Sequence, residues 1–233
     1  MLKAVFVDYT GTIIKEEGPD IREVIRRTYE NSDIESPQAM VAYWWRLLNE
    51  YEEKSFGSSY MSEDDIVEEL LKICEKEIHL KENPKELHAA FQRFWMYAPA
   101  YEDTAAFFKE CPLPIYIISN NAGKYIEESM RDKNLHPAGI ISSDMVRAYK
   151  PHRAVFEKAL EVSGCSADEV IHIGDSVSSD VEGAKAAKIQ PVLVDRGGKS
   201  SLEGVLTVKS LTDIIPLINA WPAVSSTINK TSL

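Results

Sequence analysis

The sequence predicts an α/β protein, a doubly wound parallel sheet into which a small helical bundle is inserted. Two observations carry the prediction. After about residue 100, short apolar stretches alternate with helical patterns, in "PIYIISN", "GKYIEESMRDK", "AGIISSD", "HRAVFEKALEVSG", "EVIHIGDS", "DVEGAKAAK" and "QPVLVD". Alternation of this kind builds a parallel sheet covered on both faces. Between about residues 20 and 98, by contrast, apolar residues recur only at helical spacing.

Taken in order, residues 3–8 form a strand whose apolar composition matches the later strands, so it belongs to the same sheet and the helices interrupt that sheet's chain. Helices follow in "IREVIRRTYE", "AMVAYWWRLLNEY", "DDIVEELLKICEKEI" and "ELHAAFQRFW". Ser36 before Pro37 reads as a helix start. So does Ser62, followed by Glu63, Asp64 and Asp65, which put negative charge on a helix amino terminus. Trp44, Trp45, Phe91, Phe94 and Trp95 are assigned to the core of the bundle. After the alternating region, "GVLTV" gives a last strand and residues 210–219 a closing helix. The expected organisation is an α/β core of residues 1–14 and 99–219, a helical unit of residues 15–98, and a loose tail of residues 220–233.

The 233 residues are 44% hydrophobic and 27% charged, the composition of an ordinary globular chain. No apolar run approaches the roughly 18 residues of a membrane span. The start "MLKAVFVD" reads as a strand and not as a signal peptide, so a cytoplasmic location without a membrane partner is expected. Cys74, Cys111 and Cys165 lack ligand-like spacing and are read as buried thiols. A net charge of -11 with no basic, aromatic-interleaved stretch argues against nucleic acid. A monomer or homodimer acting on a small molecule is the expectation. The charge is uneven: residues 15–100 hold 19 acidic against 11 basic residues, a net of -8.

In such sheets ligands sit at the carboxyl ends of the strands. There the sequence places Asp8; Ser119, with Asn120 and Asn121 behind it; Asp175, with Asp180 five residues on; and Lys150 before Pro151. Carboxylates meeting at one edge repel each other unless a divalent cation lies between them, and oxygen ligands suit magnesium. Amides of the Thr10, Gly11, Thr12 turn, with Ser119 and Asn120, are positioned to hold the oxygens of a tetrahedral anion such as phosphate. His172 and His152 have no partner at metal spacing and are read as structural.

"DYTGT", "SNN", "YKP" and "GDSVSSD", in this order, resemble the four motifs of the haloacid dehalogenase (HAD) superfamily, in the subgroup with a helical cap inserted after the first motif. The resemblance covers residues 1–219 and implies a Rossmann-like core. It implies that Asp8 is a nucleophile forming an aspartyl phosphate. Asp8, Asp175 and the Thr10 carbonyl would hold Mg2+, with Asp180 behind them, while Ser119 and Lys150 would bind the transferring phosphoryl group. The cap would close over the site.

One position departs from the pattern. Phosphatases of this family carry a second aspartate two residues after the nucleophile, as general acid and base. Here Thr10 stands in that place, and its hydroxyl does not titrate near pH 7. The sequence therefore predicts a Mg2+-dependent phosphohydrolase with slow turnover of simple esters. Two alternatives are a phosphate-binding regulatory protein with little turnover and a carbon–phosphorus hydrolase. The latter resembles the phosphonoacetaldehyde hydrolases, which use a cap lysine, and Lys54 is its candidate here. The haloacid dehalogenases proper need no metal, which sets Asp175 and Asp180 against dehalogenation.

Overall fold

In this computed structural model, residues 1–198 and 202–221 are described. The chain runs through β1 (Ala4–Val7), α1 (Pro19–Glu30), α2 (Pro37–Lys54), α3 (Glu63–Glu77), α4 (Pro84–Tyr97), α5 (Thr104–Glu110), β2 (Ile115–Ser119), α6 (Gly123–Asp132), β3 (Gly139–Ser142), α7 (Ser143–Val146), α8 (Arg153–Ser163), β4 (Val170–Gly174), α9 (Gly183–Ala186), β5 (Gln190–Val194), β6 (Leu206–Val208) and α10 (Ile215–Asn219). The strands form one parallel sheet in the order β3-β2-β1-β4-β5-β6. The expected α/β class is what the chain adopts.

β1 is the hinge of this topology, because chain order runs outward from it in both directions and a crevice opens beside it. Val7 is level with Ile117 of β2 and Ile173 of β4, so Asp8, Ser119 and Asp175 all emerge just past one edge. The period of two along β1 divides the packing. Val5 and Val7 face a cluster with Ile117, Ile173, Phe91, Trp95 and Ile126, whereas Ala4 and Phe6 face Ile118, Val155, Phe156 and Ala184. Each such fully buried aliphatic or aromatic side chain contributes on the order of 1.5–3 kcal/mol.

The helices α1–α4 lie between β1 and the remainder of the sheet's chain, as expected. Their starts follow the sequence signals. Ser36 Oγ accepts the Ala39 N–H at 3.1 Å, and Ser62 forms a reciprocal capping box with Asp65. α4 packs on α6, and the Tyr9 hydroxyl donates to the Trp95 carbonyl at 2.7 Å, so this end of the bundle shares its core with the sheet. The opposite end, the connection from α2 to α3, reaches the crevice. There Gly57 N–H donates to Arg147 O at 2.9 Å, the Tyr149 hydroxyl to Met61 O at 2.9 Å, and Phe56 stacks on His152 at 4.0 Å.

Several expectations are corrected. Trp44 stacks on Phe91 at 4.6 Å, but Trp45, one position further around α2, is 44% exposed and not core. Of the cysteines only Cys74 is buried; Cys111 and Cys165 are half-buried, and all three are free. The closing helix is split into a 3-10 turn, Leu211–Ile214, and α10. Trp221, assigned to the tail, is buried in the main core, and residues 222–233 lie outside the described residues. After Asp175 the chain forms a π-helical turn, Val177–Glu182, so that of the helical stretch "DVEGAKAAK" only Gly183–Ala186 is α-helical.

Candidate active site

Lys150 organises the floor of the crevice. Its Nζ donates to Asp8 Oδ1 at 2.5 Å and to Asp180 Oδ1 at 2.6 Å, and all three side chains are buried. Asp180 also accepts from His172 Nε2 at 2.8 Å and from the Ser176 N–H at 3.1 Å. The π-helical turn gives Asp180 this inward aim and supplies His172 with the carboxylate partner that sequence spacing did not reveal. His172 Nδ1, however, is buried without a hydrogen-bond partner among the described residues. Asp175 is steered separately, by the Thr12 hydroxyl at 2.9 Å. Gly11, at φ +88°, lies so close that a Cβ there would meet the Asp175 carboxylate at 2.5 Å; only glycine serves at this turn.

Carboxylate oxygens of Asp8, Asp175 and Asp180 lie within 4.8 Å of one another. One ammonium does not neutralise three carboxylates, and the effect on each differs. Burial and the neighbouring Asp180 push Asp8 above the usual carboxylate range, while burial and Asp8 do the same to Asp175. Burial also opposes ionisation of Asp180, but Lys150 and His172 outweigh it and hold Asp180 well below. For Lys150, desolvation is outweighed by Asp180 and Asp8, which keep it charged. Two hard carboxylates that repel each other beside a third already paired form a donor set suited to a divalent cation such as magnesium.

Ser119 and the two asparagines form the adjoining wall. Asn121 Oδ1 accepts from the Thr10 hydroxyl at 2.8 Å and the Ser119 hydroxyl at 3.1 Å. Asn120 Oδ1 accepts the Lys150 N–H at 2.7 Å, and its Nδ2 donates to Glu52 Oε2 at 2.8 Å. In the turn after β1, the Gly11 N–H is engaged by Ile14 O at 2.8 Å, so that amide serves the turn itself. Asp8, Thr10, Gly11, Thr12, Ser119, Asn120, Lys150, Asp175 and Asp180 thus all gather at one sheet edge. Lys54 lies at the exposed end of α2.

The helical segment adds two acids that sequence reasoning missed. Glu63 accepts from Asn121 Nδ2 at 2.5 Å and from the Ala122 N–H at 2.9 Å. Ala122 is the N-cap of α6 and has no capping side chain, so Glu63 supplies the acceptor from another element. Of the three acids opening α3, only Asp65 caps its own helix; Asp64 instead binds Lys124, Tyr125 and His88. Glu52, at the end of α2, is the second. Burial raises Glu63 well above the ordinary range and Glu52 to about 7, against their hydrogen bonds from amide donors. A signal for Glu63 existed, since a run of three acids exceeds what one N-cap requires; no sequence signal marks Glu52.

The family described as haloacid dehalogenase-like hydrolase matches residues 2–188. A phosphoserine phosphatase from Thermus thermophilus is 31% identical over 121 residues, 50% of this chain and 49% of that one, so the likeness spans about half of the relative's length. Among solved structures, the L-2-haloacid dehalogenase of Xanthobacter autotrophicus superposes with a TM-score of 0.76 at 20% identity, over 94% of this chain and 99% of that one. The magnesium-bound HAD-hydrolase YfnB of Bacillus subtilis gives 0.75 at 18% identity over the same shares. A HAD phosphatase of Thermococcus onnurineus gives 0.66 at 22%, over 93% and 98%. At these identities the structures speak to the fold alone. The family match spans the sheet edge from Asp8 to Asp180 on which the buried lysine and carboxylates meet, and the chain belongs to the haloacid dehalogenase-like hydrolases.

Proposed function

We propose that the chain is a Mg2+-dependent phosphohydrolase of a small phosphorylated metabolite, acting through an aspartyl phosphate on Asp8. The observation that carries this reading is Lys150, bonded at once to Asp8 and Asp180 beside the Asp175 carboxyl group. A nucleophile, a fixed cation and a site for a divalent cation at one strand edge are the parts that phosphoryl transfer needs. Asp8, the Thr10 carbonyl and Asp175 would hold magnesium, which when bound neutralises charge around the phosphoryl oxygens. Asp180 keeps Lys150 in place, and Lys150 and Ser119 bind the phosphoryl oxygens.

An Asp8 oxygen attacks phosphorus and the ester oxygen leaves; water then releases phosphate and regenerates Asp8. Residues 15–98 act as a cap on the core of residues 1–14 and 99–219, excluding bulk water. The phosphatase relative supports a phosphate ester, and the acidic set supports metal, which haloacid chemistry in this family does not require.

Thr10 favours a second reading, a phosphate-binding protein with little turnover, because its hydroxyl donates to Asn121 and offers no titrating proton. A magnesium-dependent screen of aryl, alkyl and acyl phosphates, phosphonates and 2-haloacids separates the two. The expected result is release of phosphate and a hydroxylamine-labile phosphate on Asp8. Asp8→Asn should lower turnover by roughly 10^4-fold or more, on the scale of lost nucleophiles. Full activity in that variant, or metal-independent release of halide, sinks the proposal; binding of phosphate without turnover of any substrate selects the second reading.

A further inference from the structure

Asp175 faces a cavity of about 220 Å3 that it shares with Gly11, Tyr101, Asp195 and Arg196. We propose that Arg196, just past the end of β5, is a positioning residue for the metal site: by holding the turn after β1 it fixes the Thr12 hydroxyl that aims Asp175. The inference rests on the magnesium reading above and names what prepares one of its carboxylates for the ion.

The contacts form a continuous path. Arg196 Nη2 donates to the Thr12 carbonyl at 2.9 Å. The Thr12 hydroxyl donates to Asp175 Oδ1 at 2.9 Å, and among the described residues it is the one hydrogen-bond donor to that carboxyl group. Thr12 is fully buried, so its own contacts are with protein and not with solvent. A β-branched side chain has a narrow choice of χ1. The backbone that carries Thr12 therefore decides where its hydroxyl points, and Arg196 holds that backbone.

The way Arg196 is bound favours this role over a plain ion pair. Its Nη1 donates to Asp103 Oδ2 at 2.7 Å, and the guanidinium lies over the Tyr101 ring, 3.8 Å from the centroid. Asp103 Oδ2 also accepts from the Ser210 hydroxyl at 2.8 Å and the Leu211 N–H at 2.7 Å. Arginine and a carboxylate commonly pair through two parallel hydrogen bonds. Here Arg196 Nε and Asp103 Oδ1 are both buried without a partner among the described residues, while Nη2 is given to Thr12. Orphaned buried groups have a cost, and the contact obtained in exchange is the one to the turn. Asp103 also balances the guanidinium charge, which would otherwise oppose a cation arriving at Asp175.

The remainder of the turn has separate supports. Ile13 O accepts from the Tyr101 N–H at 3.1 Å and from the Thr104 hydroxyl at 2.9 Å, and the Gly11 N–H donates to Ile14 O at 2.8 Å. Loss of Arg196 therefore frees the Thr12 carbonyl and leaves the turn folded, so the consequence falls on Asp175.

The test measures binding of Mn2+, which shares the preference of Mg2+ for oxygen ligands, from the electron paramagnetic resonance signal of the free ion. The full-length proteins are wild type, Arg196→Met, Thr12→Val, the double variant of these two, and Asp175→Ala. Groups that orient a metal ligand are worth roughly 10- to 100-fold in affinity. Thr12→Val should weaken binding within that range, and Arg196→Met by about 10-fold, its lower end. The double variant should bind no more weakly than Thr12→Val alone, because Arg196 acts through that hydroxyl; a merely structural loss would add to it. Arg196→Met leaves Asp103 without its cation, so Asp103→Asn with Arg196→Met provides a neutral pair in which residue 103 still accepts from Ser210 and Leu211. The loss of about 10-fold should persist there. Affinity equal to wild type in Arg196→Met or in the neutral pair, or a double-variant loss equal to the product of the single losses, overturns the role of Arg196. If the wild type binds no Mn2+, or Asp175→Ala binds it as tightly as wild type, the metal reading falls and this inference with it.

Discussion

Asp180 on the floor of the crevice and Glu63 on its helical rim are both buried carboxylates held by short hydrogen bonds, yet they ionise in opposite senses. Asp180 is bound by an ammonium, an imidazole and one amide, and is held below the ordinary range. Glu63 is bound by two neutral amides and is pushed above it. Burial opposes charge at both sites; the partner decides the outcome. A full cation repays the desolvation of a carboxylate, whereas two amide donors do not. The floor is therefore a fixed array of charges, set by Lys150. On the rim no cation faces Glu63, and burial sets its ionisation.

Removing the cation breaks this comparison most directly. Lys150→Met should leave Asp180 and Asp8 uncompensated and destabilise the protein at pH 7 by about 3–5 kcal/mol, the usual cost of a buried charge stripped of its partner. In the wild type, Asp180 contributes stability above the ordinary carboxylate pKa that is lost as pH falls through its lower folded value. Without Lys150 the sign reverses: the folded carboxylates hold protons that the unfolded chain releases, so the variant gains stability relative to wild type as pH falls from 7 to 5. Thermal melts at both pH values check this. A deficit independent of pH would mean that Lys150 acts by packing, and the contrast with Glu63 would lose its basis.

The two regions also differed in how far the sequence disclosed them. Floor residues are legible because they sit at strand ends: β1, β2 and β4 are short, apolar and in register, so Asp8, Ser119 and Asp175 had one edge to occupy. Lys150 was marked by its motif. Glu52 was not legible, since "NEYEEKS" contains three glutamates of similar surroundings, and its partner Asn120 lies 68 residues away. Which of them points inward depends on how the connection from α2 to α3 docks on residues 147–152. Glu63 was visible but read as serving its own helix. The pairing of His172 with Asp180 depends on the π-helical turn, whose extra residue per turn no apolar pattern announces. Trp45 was assigned to the core because adjacent aromatics share a window, although one step along a helix turns a side chain by about 100°.

On the rim, Glu63→Ala should leave the Ala122 N–H and the Asn121 amide without their acceptor, at a cost of about 1–3 kcal/mol. Its pH dependence runs opposite to that of Lys150→Met. Folded Glu63 keeps a proton that the unfolded chain has released once pH passes the ordinary carboxylate range, so wild-type stability from this group is full below that range and declines above it. The gap in Tm between wild type and Glu63→Ala should therefore narrow from pH 5 to pH 8. A gap that widens would show Glu63 to be stabilised as the carboxylate, placing it with Asp180.

The smallest expected effect separates the cap of α3 from the acid that follows it. Ser62 and Asp65 satisfy each other's backbone at the exposed start of the helix, while Glu63 turns to the core. Ser62→Ala removes one acceptor and should cost about 1 kcal/mol, which in a chain of this size lowers Tm by roughly 2–4 °C. Because the Asp65 carboxylate still accepts the residue 62 N–H and Glu63 keeps its own partners, the loss should be the same at pH 6 and pH 8. Loss that varies with pH in the manner of Glu63→Ala would mean that the capping box sets the position of Glu63. In that case local helix energetics and the protonation of the rim would be one device, and the division between the two would move from α3 to the edge of the sheet itself.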